Sequence, residues 1–277
     1  MCAPVPPGPR SALVARLRTA GCVFAEDEAD LLLTAAGSAD ELMAMVERRT
    51  AGLPLEHVLG WTQFCGLRVS VDPGVFVPRR RTAFLVSEAI SLSRRSPPRR
   101  VVVVDLCCGS GAVGLALAAA LDRVELYAVD IDPAAVQCAR RDTAARGGQV
   151  YEGDLYEPLP TTLRGRVDVL VANAPYVPSE AVALLPPEAR VHEARIALDG
   201  GADGLDVLRR VVACAPVWLS PGGHLLVETS ERQAPHLVEA VVRSGLIPRV
   251  ASSDELNATV VTATRSDPSP VGDRHVP

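Results

Sequence analysis

The sequence predicts an α/β protein: a mostly parallel sheet covered by helices on both faces, with an antiparallel last strand, preceded by a small helical domain and a β-hairpin linker. Three observations carry this expectation. Strand-like apolar runs at Val101 to Leu106, Val124 to Val129, Val167 to Ala172 and His224 to Val227 alternate with helical stretches, the pattern of a parallel sheet. Two later runs, Ile247 to Val250 and Ala258 to Ala263, lie too close together for a crossover helix and must pair antiparallel. Before residue 50 the apolar residues recur only at helical spacing.

Taken in order, Leu13, Leu17, Leu31, Leu32, Ala35, Leu42, Met45 and Val46 mark the apolar stripes of the helical domain, placed at residues 1–58. The hairpin and a linker helix occupy 59–95. Phe64 to Val71 alternates, Asp72-Pro73-Gly74 supplies a turn, and Val75 to Val77 resumes an extended run. A helix from about Thr82 to Ser93 follows, broken by the Arg94 to Arg100 segment with Pro97-Pro98 inside it. The large domain spans 96–265, and the tail 266–277 reads as disordered.

Composition narrows the classes of function. The chain has 277 residues, 48% of them apolar, enough to bury a core in two domains. All 28 basic residues are arginine, yet the net charge is −5, which disfavours a long phosphate backbone as the main ligand. Seven cysteines without paired CxxC spacing or interleaved histidines give neither a disulfide framework nor a metal site, so no metal is expected and a reducing cytoplasm is. No secretory signal and no run of roughly 20 apolar residues is present, so no membrane is expected.

Val101 to Leu106 runs into Cys107-Cys108-Gly109-Ser110-Gly111 and then a helix. Gly109 and Gly111 are placed to let a ligand approach the backbone, and Asp130, nineteen residues after Gly111, ends the next strand where a carboxylate accepts ribose hydroxyls. A nucleoside cofactor is implied. Gly109-x-Gly111-x-x-Gly114 also fits the dinucleotide fingerprint. Asp105 helps to separate the two, because a carboxylate beside the glycine turn repels a pyrophosphate and attracts the sulfonium of S-adenosyl-L-methionine. At about 4 Å and a near-surface dielectric the interaction is worth roughly 4 kcal/mol. Asp154, closing the next βα unit, suits the adenine amine. The vicinal Cys107 and Cys108 read as small fillers rather than a redox pair.

After the fourth run comes Asn173-Ala174-Pro175-Tyr176, at the carboxyl end of the sheet. An amide nitrogen is a weak nucleophile because its lone pair is delocalised. Asn173 Oδ1 and the Ala174 carbonyl can accept both N–H groups of such an amide and aim its lone pair, with no strong base. Pro175 biases Ala174 to an extended conformation, and Tyr176 can stack on a planar group. The same clasp suits the exocyclic amine of a flipped adenine in RNA or DNA. A dinucleotide-dependent oxidoreductase is a more distant alternative.

Over nearly its whole length the chain resembles the PrmC/HemK family of protein-(glutamine-N5) methyltransferases, which modify the Gly-Gly-Gln segment of peptide-chain release factors. Pro54-Leu55-x-His57-x-x-Gly60, Val77-Pro78-Arg79, Asp105-Leu106 with Gly109-x-Gly111, Val129-Asp130, Glu193 and Ala197-Leu198-x-Gly200-Gly201-x-Asp203-Gly204-Leu205 carry the resemblance, with Pro221-Gly222-Gly223 and Glu228 following. It implies a class I methyltransferase (Rossmann-like) domain with a seven-stranded sheet, a substrate-docking helical domain, and a release factor as partner. Cofactor contacts are implied for Asp105, Cys107, Gly109, Ser110, Gly111, Asp130, Ile131, Asp154, Leu155 and Asn173. Catalysis is implied for Asn173 to Tyr176, and substrate binding for Arg79, Asn173, Tyr176 and Glu193. Three elements depart from the family: Ala174 replaces a proline, Cys107 replaces a glycine, and Pro-x-Thr-Glu reads Arg80-Arg81-Thr82-Ala83. Gly147-Gly148-Gln149 copies the target tripeptide by coincidence, within a helix-to-strand turn.

Overall fold

The computed structural model describes residues 9–94 and 100–267. The expected break around Pro97-Pro98 and most of the 266–277 tail lie outside these. Four helices come first, α1 (Pro9–Thr19), α2 (Ala25–Ala35), α3 (Ala39–Thr50) and the short α4 (Leu55–Leu59). Leu13, Leu17, Ala29, Leu32, Met45, Val46 and Val58 form their core. The buried stripe of α2 is Ala25, Glu28, Ala29 and Leu32, so the expected Leu31 and Ala35 face outward. A charged residue takes the inward position because Arg49 of α3 meets the Glu28 carboxylate at 2.6 Å, both side chains being about 90% buried. The same guanidinium reaches Glu188 at 2.6 Å and the Leu53 carbonyl at 3.0 Å.

The hairpin differs from the expected one. Strands β1 (Trp61–Phe64) and β2 (Leu67–Ser70) pair antiparallel around Cys65-Gly66, not around Asp72-Pro73-Gly74. Both turn residues have positive φ, 48° and 78°, the two-residue turn whose twist matches the strands it joins. Among the described residues the 75–77 stretch belongs to no strand, and Gly74 just before it forms an isolated parallel bridge with Glu193.

Then come α5 (Ala83–Ser93), β3 (Val101–Leu106), α6 (Ala112–Ala120), β4 (Val124–Asp130), α7 (Pro133–Thr143), β5 (Gln149–Glu152), β6 (Val167–Ala172), α8 (Pro187–His192), α9 (Asp206–Trp218), β7 (Leu219–Thr229), α10 (Ala234–Arg243), β8 (Ile247–Ser253) and β9 (Ala258–Thr264). Seven strands form one sheet in the order β5-β4-β3-β6-β7-β9-β8. Strands β3 to β7 run parallel, and β9 is antiparallel to both β7 and β8, as expected. Val102, Val104 and Leu106 of β3 belong to one buried cluster with Leu208, Val211 and Ala215 of α9, while Val103 belongs to another with Leu85 and Ala89 of α5 and Leu117 of α6. An all-valine run suits a strand buried on both faces. Strand order reverses between β3 and β6, and the crevice beyond their carboxyl ends is where an open α/β sheet binds ligands.

Candidate active site

A cavity of about 280 Å³ occupies that crevice. Asp105, Cys107, Gly109 and Ser110 line it from β3 and its turn, Asp130 and Ile131 from β4, Asp154 and Leu155 from the β5 end, and Asn173 and Pro175 from beyond β6. Residues from four strand ends that the sequence analysis singled out thus share one space.

The turn is wired by backbone donors. Gly109 N–H donates to Asp130 Oδ2 at 2.7 Å and Asp132 N–H to Asp130 Oδ1 at 2.9 Å, tying the β3 turn to the β4 turn. Both oxygens keep lone pairs for further donors. Burial raises the Asp130 carboxyl and these N–H groups pull it back. Asp105 is 1% exposed and accepts Gly114 N–H at 2.8 Å. Burial pushes its carboxyl up to about 7, Gly114 opposes this, and Asp130 adds to it. Ser110 Oγ is buried with no hydrogen-bond partner among the described residues. Burial, with Asp130 and Asp105 nearby, raises the thiols of Cys107 and Cys108 well above their usual range, the opposite of what a reactive thiolate needs.

Gly111 is not among the residues lining the cavity. It begins α6 at φ +79°, and a Cβ there would come within 3.0 Å of Ala139 Cβ on α7. Its glycine serves the approach of two helices. Asp154 is also less free than expected: Arg210 of α9 pairs with it at 2.6 Å and lines the cavity beside it.

Asn173 donates through Nδ2 to Thr82 Oγ1 at 3.3 Å. Ala174 is buried, and Tyr176 turns away into a second hollow of about 210 Å³ with Arg81 and Glu228. There its O–H donates to Glu228 Oε1 at 3.2 Å, and burial followed by Glu228 raises the phenol. The loop is clamped from behind. Gln233 Nε2 donates to the carbonyls of Tyr176 (2.8 Å) and Asp203 (2.9 Å), and Gly200 N–H donates to Val177 O at 2.8 Å. Gly204 sits at φ +78° with its Cα against the Tyr176 carbonyl, where a Cβ has no room.

Arg79 and Glu193 face each other rather than the cavity, at 2.7 and 2.6 Å, and Glu193 Oε1 also accepts Val77 N–H at 3.2 Å. Burial raises the Glu193 carboxyl and Arg79 lowers it. The pair holds the 76–78 segment in place: the guanidinium lies 4.7 Å over the Phe76 ring, and Phe76 and Pro78 line the cavity. Sequence reasoning missed these two, together with Thr82, Val207 and Arg210. Pro78 and Thr82, each within a quoted motif, left a trace of their roles.

Three carboxylates at adjacent strand tips, an unpartnered buried hydroxyl and apolar walls fit a cationic nucleoside and would repel a pyrophosphate. The fold and this cavity define a class I methyltransferase that uses S-adenosylmethionine. Residues 66–203 match the Methyltransferase small domain family. A release factor glutamine methyltransferase of Geobacter sulfurreducens is 39% identical over 212 residues, 76% of this chain and 72% of the relative. One of Mycolicibacterium smegmatis is 38% identical over 224 residues, covering 80% and 78%. The crystal structure of a methyltransferase from Pyrococcus furiosus shares the fold at TM-score 0.52 and 16% identity, over 73% of this chain and 90% of that one. This chain belongs to the release factor glutamine methyltransferase family.

Proposed function

We propose that the protein methylates the side-chain amide nitrogen of a glutamine in a peptide-chain release factor, in the cytoplasm. The observation that supports it most is that Asn173 and Asp105 line one cavity, so that a gripped amide and a cationic methyl donor meet there. Bound S-adenosylmethionine supplies a methyl group made electrophilic by its sulfonium. Asp105 offers negative charge to that cation, Asp130 accepts ribose hydroxyls, and Asp154 with Arg210 closes the adenine end. Asn173 Oδ1 and the Ala174 carbonyl accept the two N–H groups of the substrate amide and hold its nitrogen toward the donor. Tyr176, Arg79 and Glu193 act by shaping the loop and the 76–78 segment. Helices in residues 1–58 dock the protein substrate, and residues 59–95 join them to the catalytic unit at 96–265, with α5 packed on the sheet. The net charge of −5 favours a protein over a nucleic acid.

The test is incubation with labelled cofactor and either release factor or RNA, followed by mass spectrometry of the product. One added methyl on glutamine is expected, and label in RNA alone overturns the substrate class. Asn173→Ala should lower turnover by roughly 10²-fold or more while binding of S-adenosylhomocysteine changes far less; unchanged turnover removes Asn173 from its role.

A further inference from the structure

Arg210 is an unexpected wall for a cavity that binds a cation, since a guanidinium repels the sulfonium that Asp105 attracts. Asp154 balances that charge: its Oδ2 accepts Arg210 Nη2–H at 2.6 Å, with the side chains 33% and 55% exposed respectively. An ion pair so open to water contributes little to stability. What it does contribute is a fixed orientation for the carboxylate. The turn that carries Asp154 is tied to α9 twice, from neighbouring residues of the helix. Arg210 takes the Asp154 side chain, and the Val211 carbonyl accepts the Tyr156 O–H at 2.7 Å. Tyr156 is buried, and its ring stacks on Trp218 of the same helix with 5.5 Å between centroids. Leu155 stands between the two ties at φ +51°, a left-handed backbone that a leucine seldom adopts and that its surroundings must hold. Helix α9 reaches both residues because Leu208, Val211, Val212 and Ala215 anchor it in the core, while Val207 and Arg210, one helical turn apart, line the cavity.

A carboxylate has two oxygens and only accepts. With Oδ2 directed to Arg210, Oδ1 remains for a donor, and on the edge of adenine the exocyclic amine is the donor while the neighbouring ring nitrogens accept. Hypoxanthine carries a carbonyl oxygen where adenine carries that amine, so it would set an acceptor against an acceptor. We propose that Arg210 is a positioning residue that determines base specificity: it fixes Asp154 so that Oδ1 takes the exocyclic amine, and the site thereby selects adenine over a base with a carbonyl at the same place. The tie from Tyr156 to Val211 sets the backbone of the turn, and Arg210 sets the side chain. This rests on the reading of Asp154 as the adenine contact. Without Arg210 the Asp154 side chain rotates, and either oxygen can turn away from the base.

Calorimetry on the whole protein with S-adenosylhomocysteine and with S-inosylhomocysteine, its hypoxanthine counterpart, tests this without any turnover. Wild type should bind the adenine compound tighter by roughly tenfold or more, the scale of one hydrogen bond to a charged group. Asp154→Ala should remove that preference. In Arg210→Ala the preference should shrink to about threefold or less, chiefly through weaker binding of the adenine compound. Arg210→Lys, which keeps the charge without the planar fork, should lie between Arg210→Ala and wild type. Because Arg210 acts through Asp154, the Asp154→Ala/Arg210→Ala double variant should show the same preference as Asp154→Ala alone. A role confined to the fold would weaken both compounds alike, so a preference unchanged in Arg210→Ala overturns the proposal while the loss in Asp154→Ala keeps the adenine contact in place. A preference unchanged in Asp154→Ala takes away the adenine contact and the proposal together.

Discussion

The two halves of the cavity are built by different means. On the cofactor side, Asp105, Gly109, Ser110 and Asp130 arise from two consecutive βα turns, where Asp105 accepts Gly114 N–H and Asp130 accepts the N–H groups of Gly109 and Asp132. On the acceptor side, Asn173 to Tyr176 depend on Thr82, on Gly200 and Gly204, and on Glu228 and Gln233, three stretches far apart in the chain. A local motif can make a cofactor wall. Aiming one amide requires the whole molecule.

Three variations should separate the halves. The largest effect is expected for Gly204→Ala. The positive φ alone costs about 1–3 kcal/mol, and the added methyl drives the Tyr176 carbonyl and its loop away. Turnover should be abolished and the melting temperature lowered, while calorimetry should find S-adenosylhomocysteine affinity within a few-fold of wild type. Equal loss of cofactor affinity would mean that the halves are not separable.

A change of pH should act on the other half. The Asp105 carboxyl titrates near 7 because it is buried. Its ionised form attracts a cation, so affinity for S-adenosylmethionine should fall as pH drops through about 7, by up to roughly tenfold per unit. The thioether of S-adenosylhomocysteine carries no sulfonium charge and should show a shallower profile. Calorimetric titrations at about pH 6 and about pH 8 compare them, and identical slopes would take Asp105 away from the sulfonium. Ala174→Pro should have the smallest effect, since a fixed φ adds about 0.4–1 kcal/mol of order to a loop already clamped. Turnover should be kept or raised a few-fold without change in cofactor affinity, and a marked fall would show that the alanine suits this chain's loop.

The same contrast governs how much was legible in the sequence. Strand runs such as Val101 to Leu106 and Val167 to Ala172 match β3 and β6 to the residue, because a strand buried on both faces announces itself by composition. The hairpin turn was misplaced because Asp-Pro-Gly is the commoner turn signal, while Cys65 tolerates positive φ only in the context of the paired strands. Leu31 faces outward because Glu28 has Arg49 to pair with, a fact set by another helix. Asn173 was found from its neighbours in the chain. What holds Asn173 and Tyr176 was not, since Thr82 meets the one, and Gln233 and Glu228 the other, only when the sheet is assembled.

The double use of the Asp130 carboxylate, bonded to the backbone N–H groups of both Gly109 and Asp132, has a thermodynamic consequence. The cradle is set at folding, so an arriving nucleoside does not have to stiffen a floppy turn. Less entropy is lost on association, and more of the gross attraction remains as net affinity.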